Sequence, residues 1–229
     1  MPCPKPSRRL PAIRQLLEVM ASLRSPGGCP WDREQDHMTL RTHAVEEVYE
    51  LMDAIETGDD HEMAEELGDL LLQVAFHCQL ASERGAFDFD AVARRITEKL
   101  LRRHPHVFGD VKVRDVDEVW ANWEKIKQAE KHGTKHARPS ALDGIPKHLP
   151  ALARAEKLVK KARKAELLLA PKKRAGKTRR KLAAELFELA AFAQTKGWSA
   201  EELLRGELKR RELAIRKKEA RLLAGPARD

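Results

Sequence analysis

The stretch EEVYELMDAIETGDDHEMAEELGDLLLQVAF, residues 46–76, decides the fold. Its apolar residues recur at helical spacing on both sides of a short break at Thr57-Gly58-Asp59-Asp60, which predicts helices over 39–57 and 60–84. A connection this short makes consecutive helices antiparallel neighbours. Glu47 and Glu50 lie three apart on the first helix, and Glu66 and Asp69 lie three apart on the second, so each pair shares one face. The hairpin can therefore bring four carboxylates to one point. Oxygen-rich clusters of this kind suit Mg²⁺ or Mn²⁺, hard cations that prefer carboxylate and water.

The surroundings favour a cation over a solvated acidic face. Glu47 and Glu50 border the apolar stripe of Ala44, Val48, Leu51 and Ile55. Asp69 sits among Leu67, Leu70, Leu71, Leu72, Val74, Ala75 and Phe76, so the second helix reads as buried. A buried carboxylate needs a compensating charge or hydrogen bonds. No Lys or Arg occurs between Arg41 and Arg84, so the compensating charge is not local.

Outward from the hairpin, helical periodicity continues over 8–24, 89–104, 116–130, 149–169, 177–195 and 199–223, and strand signals are nearly absent. The fold class is all-α. Asp59 or Asp60 can cap the second hairpin helix, and Asp88 or Asp90 the next. SPGGCPWD at 25–32 breaks any helix, and KHGTKHARPSALDGIPKHLP at 131–150 reads as a linker. The domains expected are residues 1–130 and 151–229, joined by 131–150.

Charge separates the two parts. The chain has 229 residues and a formal net charge of +8, yet residues 1–140 hold 20 Lys and Arg against 25 Asp and Glu. Residues 141–229 hold 24 against 11. No apolar run reaches the length of roughly 18 residues that spans a bilayer. The N-terminal MPCPKPSRRL lacks the apolar core of a signal peptide. Cys3, Cys29 and Cys78 form no CxxC pair, which suits a reducing compartment. The expected location is the cytoplasm, without a membrane partner.

The pattern EExxE, fifteen intervening residues and ExxD resembles the signature of the MazG family of nucleoside triphosphate pyrophosphohydrolases. GCPWDREQ at 28–35, RRHPHVF at 102–108, ANWEKIKQAEK at 121–131 and SALDGIPKHLPALARAEKLVKK at 140–161 resemble family segments too. The resemblance covers most of residues 10–165. It implies a MazG-like helical bundle, usually a homodimer in which helices of two subunits build a four-helix core. It implies the reaction NTP + H₂O → NMP + PPi with Mg²⁺, for which Mn²⁺ is an acceptable substitute. Glu47, Glu50, Glu66 and Asp69 would hold the metal. Glu46 would be a neighbouring or water-orienting group, and Glu46 and Glu47 are the candidate bases.

Cationic groups should meet the outer phosphates, and Lys99, Arg102 and Arg103 near the end of one helix are the candidates. Lys99 and Arg103 share a face and Arg102 lies off it. The same residues also complement the helix dipole, so both readings stand. Trp31 can stack on a base or pack on the core. His104 and His106 flank a proline and read as structural. A ferritin-like di-iron site needs two ExxH units, and Glu34 with His37 supplies one. There is no GxxxxGK[ST] loop and no GxGxxG.

The second half reads as a degenerate second repeat. Glu185 and Glu188 in AAELFELAAF echo Glu66 and Asp69, but no EExxE precedes them. Residues 157–181 carry 12 Lys and Arg against one acid, without interleaved aromatics, so a solubilising surface is favoured over a nucleic-acid partner. The alternative function from these features is a catalytically weak nucleotide-binding regulatory protein.

Overall fold

Helix termini explain most of the architecture. In the first half the elements are α1 (Ala12–Arg24), α2 (Pro30–Glu34), α3 (His43–Thr57), α4 (Asp60–Glu83), α5 (Phe89–Arg103), α6 (Pro105–Phe108) and α7 (Val116–Ala129). They are followed by α8 (Ala151–Lys164), α9 (Arg179–Thr195) and α10 (Ala200–Ala224). The computed structural model describes residues 7, 9–130, 137, 139–168 and 178–224, with the side chain of Gln128 left out. Among the described residues there is no strand, and the chain is all-helical. No helix among them is long and apolar enough to cross a membrane.

Asp59 caps α4, its side chain accepting from the amides of His61 and Glu62, and Asp88 caps α5 by accepting from Ala91. Gly58 ends α3 in the left-handed region, at φ 73°, where a side chain is strained. The expected hairpin therefore forms, and α3 begins at His43 instead of Thr39. The two helices absent from the sequence reading, α2 and α6, both start at a proline. Proline is a helix breaker in the interior but is preorganised for the first helical position. These helices have five and four residues, too short for periodicity to reveal.

Two units divide the chain, Met1–Ile126 and Lys127–Asp229. In the first, α4 is central, packing against α3, α1 and α5. Its core joins Met20, Leu40, Phe76 and Leu80, with Leu23 and Leu72 against them. In the second, α8 and α10 enclose Leu142, Leu158, Leu208 and Ile215.

Of the expected linker 131–150, residues 131–136 and 138 lie outside the described residues. Leu142 and Ile145 pack into the second unit's core. Asp143 accepts from Arg216 at 2.8 Å, and the Ala141 amide donates to Glu219 at 2.7 Å. Much of the basic stretch 157–181, residues 169–177, lies outside the described residues.

The expected apolar stripe of α3 is placed differently. Within this chain, the face toward α4 carries Ala44, Glu47, Leu51 and Ala54, of which Ala54 is buried. Val48 and Ile55 are exposed, as are Val45 and Met52. On α4, Leu67, Leu71 and Val74 are exposed as well. Periodicity identified an apolar face but not which of the helix's two apolar stripes the hairpin would bury.

Candidate metal centre

Helical spacing assembles the centre. Glu47 lies on the α3 face toward α4, and Glu66 and Asp69 stand one turn apart on α4. One oxygen from each carboxylate lies within 4.8 Å of the others. All three are half-buried. Glu50 is exposed but close enough to act on Glu47 and Glu66 electrostatically. Among the described residues this is the one cluster of three or more potential metal-ligating side chains.

The electrostatics follow from crowding. Burial raises the Glu47 carboxyl above its ordinary value, and the charges of Asp69 and Glu50 add to it. Glu66 is raised by burial first, then by Glu50, Asp69, Glu47 and Glu65. Like charges at this distance disfavour one another's ionised forms. The cluster thus holds negative charge at a cost that a cation would relieve. An all-oxygen donor set, partly open to solvent, fits Mg²⁺ or Mn²⁺ by its chemistry.

Gln73 belongs to the same surface and was missed from the sequence. It lies four residues beyond Asp69 and seven beyond Glu66, one stripe of α4, and that spacing was the available signal. Its Nε2 donates to Glu47 Oε1 at 3.5 Å.

The other expected site residues are distributed around the hairpin. Glu46 is exposed and takes up His43, whose Nδ1 lies 3.3 Å from Glu46 Oε2. Trp31, on α2, is 53% exposed and stands edge-on to the His43 ring at 6.2 Å between centroids. His43 and Glu47 are four apart on α3, so the indole lies near the helix turn preceding the carboxylates. Lys99 and Arg103 are half-buried on α5, and Arg102 is exposed. Arg103 lies over the Trp123 ring, 5.7 Å from its centroid. His104 caps α5, with Nδ1 2.7 Å from the Leu100 carbonyl oxygen. Glu185 and Glu188 are exposed on α9.

Residues outside the candidate site set hold the segment around α2 that carries Trp31. Arg24 reaches the carbonyl oxygens of Asp32 and Gln35, and His37 Nδ1 lies 2.8 Å from His77 Nδ1 on α4. The close approach of Gly28 to α1 is also required: a Cβ there would lie 2.1 Å from the Leu23 carbonyl oxygen.

Two antiparallel helices turning carboxylates onto one point define an all-α protein with a donor set for hard divalent cations. The family model of the MazG nucleotide pyrophosphohydrolase domain matches residues 35–108, which contain the whole cluster. An uncharacterized 26.1 kDa protein of Streptomyces cacaoi is 41% identical over 200 residues, covering 86% of this chain and 78% of that protein. A protein named nucleoside triphosphate pyrophosphohydrolase, from Escherichia coli strain K12, is 49% identical over 150 residues, covering 65% of this chain and 56% of its own length. The uncharacterized protein YabN of Bacillus subtilis is 52% identical over 142 residues, 62% of this chain and 28% of that protein. A crystal structure of a mazG-related protein from Thermotoga maritima aligns with TM-score 0.43 at 27% identity, over 50% of this chain and 97% of that one. The chain belongs to the MazG family. It spans little more than half the length of the Escherichia coli relative.

Proposed function

We propose that the chain hydrolyses nucleoside triphosphates, ribo- or deoxyribo-, to the monophosphate and pyrophosphate in a Mg²⁺-dependent reaction. The observation that carries this reading is the convergence of Glu47, Glu66 and Asp69 to within 4.8 Å, inside the segment matched by the MazG domain. The name of the Escherichia coli relative supports the substrate class. Glu47, Glu50, Glu66 and Asp69 would hold the cation, for which Mn²⁺ can substitute. When bound, it would neutralise charge on the phosphate oxygens and favour deprotonation of the attacking water.

The chain's own groups would do the rest. Glu47 would accept the proton of the attacking water through an oxygen that the cation leaves free. Glu46 is the alternative base and carries the His43 contact. The water oxygen bonds to the α-phosphorus while the bond from that phosphorus to the bridging oxygen breaks, and pyrophosphate leaves. Lys99, Arg102 and Arg103 on α5 are assigned to the outer phosphates, and Trp31 to the base.

Two copies of the chain pair in this account. The exposed stripes of Val45, Val48, Met52 and Ile55 on α3 and Leu67, Leu71 and Val74 on α4 support it, because they lie on adjacent helices of one hairpin. Catalysis is assigned to residues 1–130 and a degenerate MazG-like repeat to 151–229. The free thiols Cys29 and Cys78 suit the cytoplasm.

The test is product identification in H₂¹⁸O. Label in the monophosphate, with unlabelled pyrophosphate, is the expected result. Label in pyrophosphate, or release of orthophosphate and diphosphate, would place the attack on another phosphorus and overturn the mechanism.

A further inference from the structure

We propose that Gln73 is a positioning residue for the metal centre, its side-chain amide fixing Glu47 in the orientation that receives the cation. The inference deepens the metal-centre reading above and rests on it.

Three observations on one side chain carry it. Gln73 is 8% exposed, one of two polar or charged residues buried among the described residues. Its Nε2 donates to Glu47 Oε1 at 3.5 Å, across the α3–α4 contact. Its Oε1 is buried and has no hydrogen-bond partner among the described residues. Buried amides are normally satisfied at both ends, and an unsatisfied acceptor costs stability. The neighbouring positions on α4, Leu72, Val74, Ala75 and Phe76, are apolar, so an aliphatic side chain would suit the core at least as well. What the amide provides, and an aliphatic chain cannot, is a donor aimed at Glu47.

That donor matters because Glu47 faces two acids of α4 and feels Glu50 on its own helix as well. Repulsion from Glu66 and Asp69 would swing an untethered Glu47 carboxylate outward to solvent. A neutral amide donor holds one oxygen in place without adding a charge that competes with the cation. Lys at this position would pair with the carboxylate and displace the metal. Glu or Asp would add further repulsion. Outer groups that orient metal ligands change affinity by roughly 10–100-fold when removed.

The experiment measures Mn²⁺ affinity by isothermal titration on the full chain without nucleotide, for the wild type, Gln73→Met and Gln73→Leu. Thermal unfolding is followed with and without the metal. Met keeps the length and the unbranched shape, which guards against a variant that fails to fold. The expected result is a dissociation constant raised about tenfold or more in both variants, with the metal-free Tm unchanged or higher. A lowered metal-free Tm with unchanged affinity would make Gln73 a packing residue and overturn the proposal. Equal affinity in all three proteins, with unchanged Tm, would overturn it as well. Absence of Mn²⁺ binding by the wild type would instead overturn the metal-centre reading on which it rests.

Discussion

Arg24 and Glu83 form a two-pronged ion pair, Nε to Oε1 at 2.7 Å and Nη2 to Oε2 at 2.8 Å, tying the end of α1 to the end of α4. The Arg24 side chain is 9% exposed. Its remaining donors reach the carbonyl oxygens of Asp32 and Gln35, and its guanidinium lies over the Phe76 ring at 5.6 Å. One side chain thus joins α1, α4 and the segment that carries Trp31. Hydrogen bonding to Arg24 holds the Glu83 carboxyl below its ordinary value, and the same bond raises Arg24.

Removal of the guanidinium should be costly. Arg24→Ala removes the guanidinium from the Gln35 carbonyl, from the Asp32 carbonyl that the Gln35 amide also reaches, and from Glu83, which keeps only its Gln79 donor, and we expect a loss of roughly 1–3 kcal/mol in chemical denaturation. The pH dependence supplies the sign. Because the folded pKa of Glu83 is depressed, its contribution is present above the ordinary carboxylate range and is lost as pH falls through the folded value. The stability difference between wild type and Arg24→Ala should therefore shrink on acidification.

The carboxylate cluster predicts the opposite trend for its own residues. Glu47 and Glu66 are raised, so in the cation-free chain stability falls as pH rises through their folded values. Asp69→Asn removes one of the charges acting on both. It should raise the metal-free Tm at neutral pH, and that gain should fade on acidification. The same variant should lose Mg²⁺-induced stabilisation.

His37 and His77 stack at 5.1 Å with their Nδ1 atoms 2.8 Å apart, a contact in which one ring donates and the other accepts. Burial lowers the pKa of His77, with the charge of His37 adding to it. The folded state therefore favours the neutral ring, and stability should decline as pH falls below about 6.5, the unfolded value. Replacing His77 by Gln should flatten that decline in thermal melts between pH 5 and 8.

At Gly28 a Cβ would strike the backbone oxygens of Leu23 and Ser22, at 2.1 and 2.4 Å. Backbone cannot yield as a flexible side chain does. Gly28→Ala should cost about 2 kcal/mol or more. Calorimetry on the full chain checks it, and a Tm within a degree of wild type would refute the close approach.

Much of this was legible in the sequence because it depends on local spacing. The i, i+3 acids and the break at 57–60 place Glu47, Glu66 and Asp69 together, and Asp59 and Asp88 announce the helix starts. What was not legible depends on pairing across distance. Arg24 and Glu83 are 59 residues apart and His37 and His77 are 40 apart, and no periodic signal connects them. Val48 and Ile55 were read as one apolar stripe with Ala44 and Leu51, but hydrophobicity marks a face without naming its occupant, and within one chain Val48 and Ile55 stay exposed. Gln73 escaped notice because a single amide in an apolar helix carries no pattern.

The measurement that tests the central claim most directly is pyrophosphate release by the purified full-length chain. The eight common NTPs and dNTPs would be compared in Mg²⁺ and in EDTA, with Glu50→Gln and Asp69→Asn alongside. The account predicts Mg²⁺-dependent pyrophosphate with an equal amount of monophosphate, abolished by EDTA and by both substitutions in proteins that still fold. Turnover that persists in EDTA, or undiminished in both variants, would contradict it.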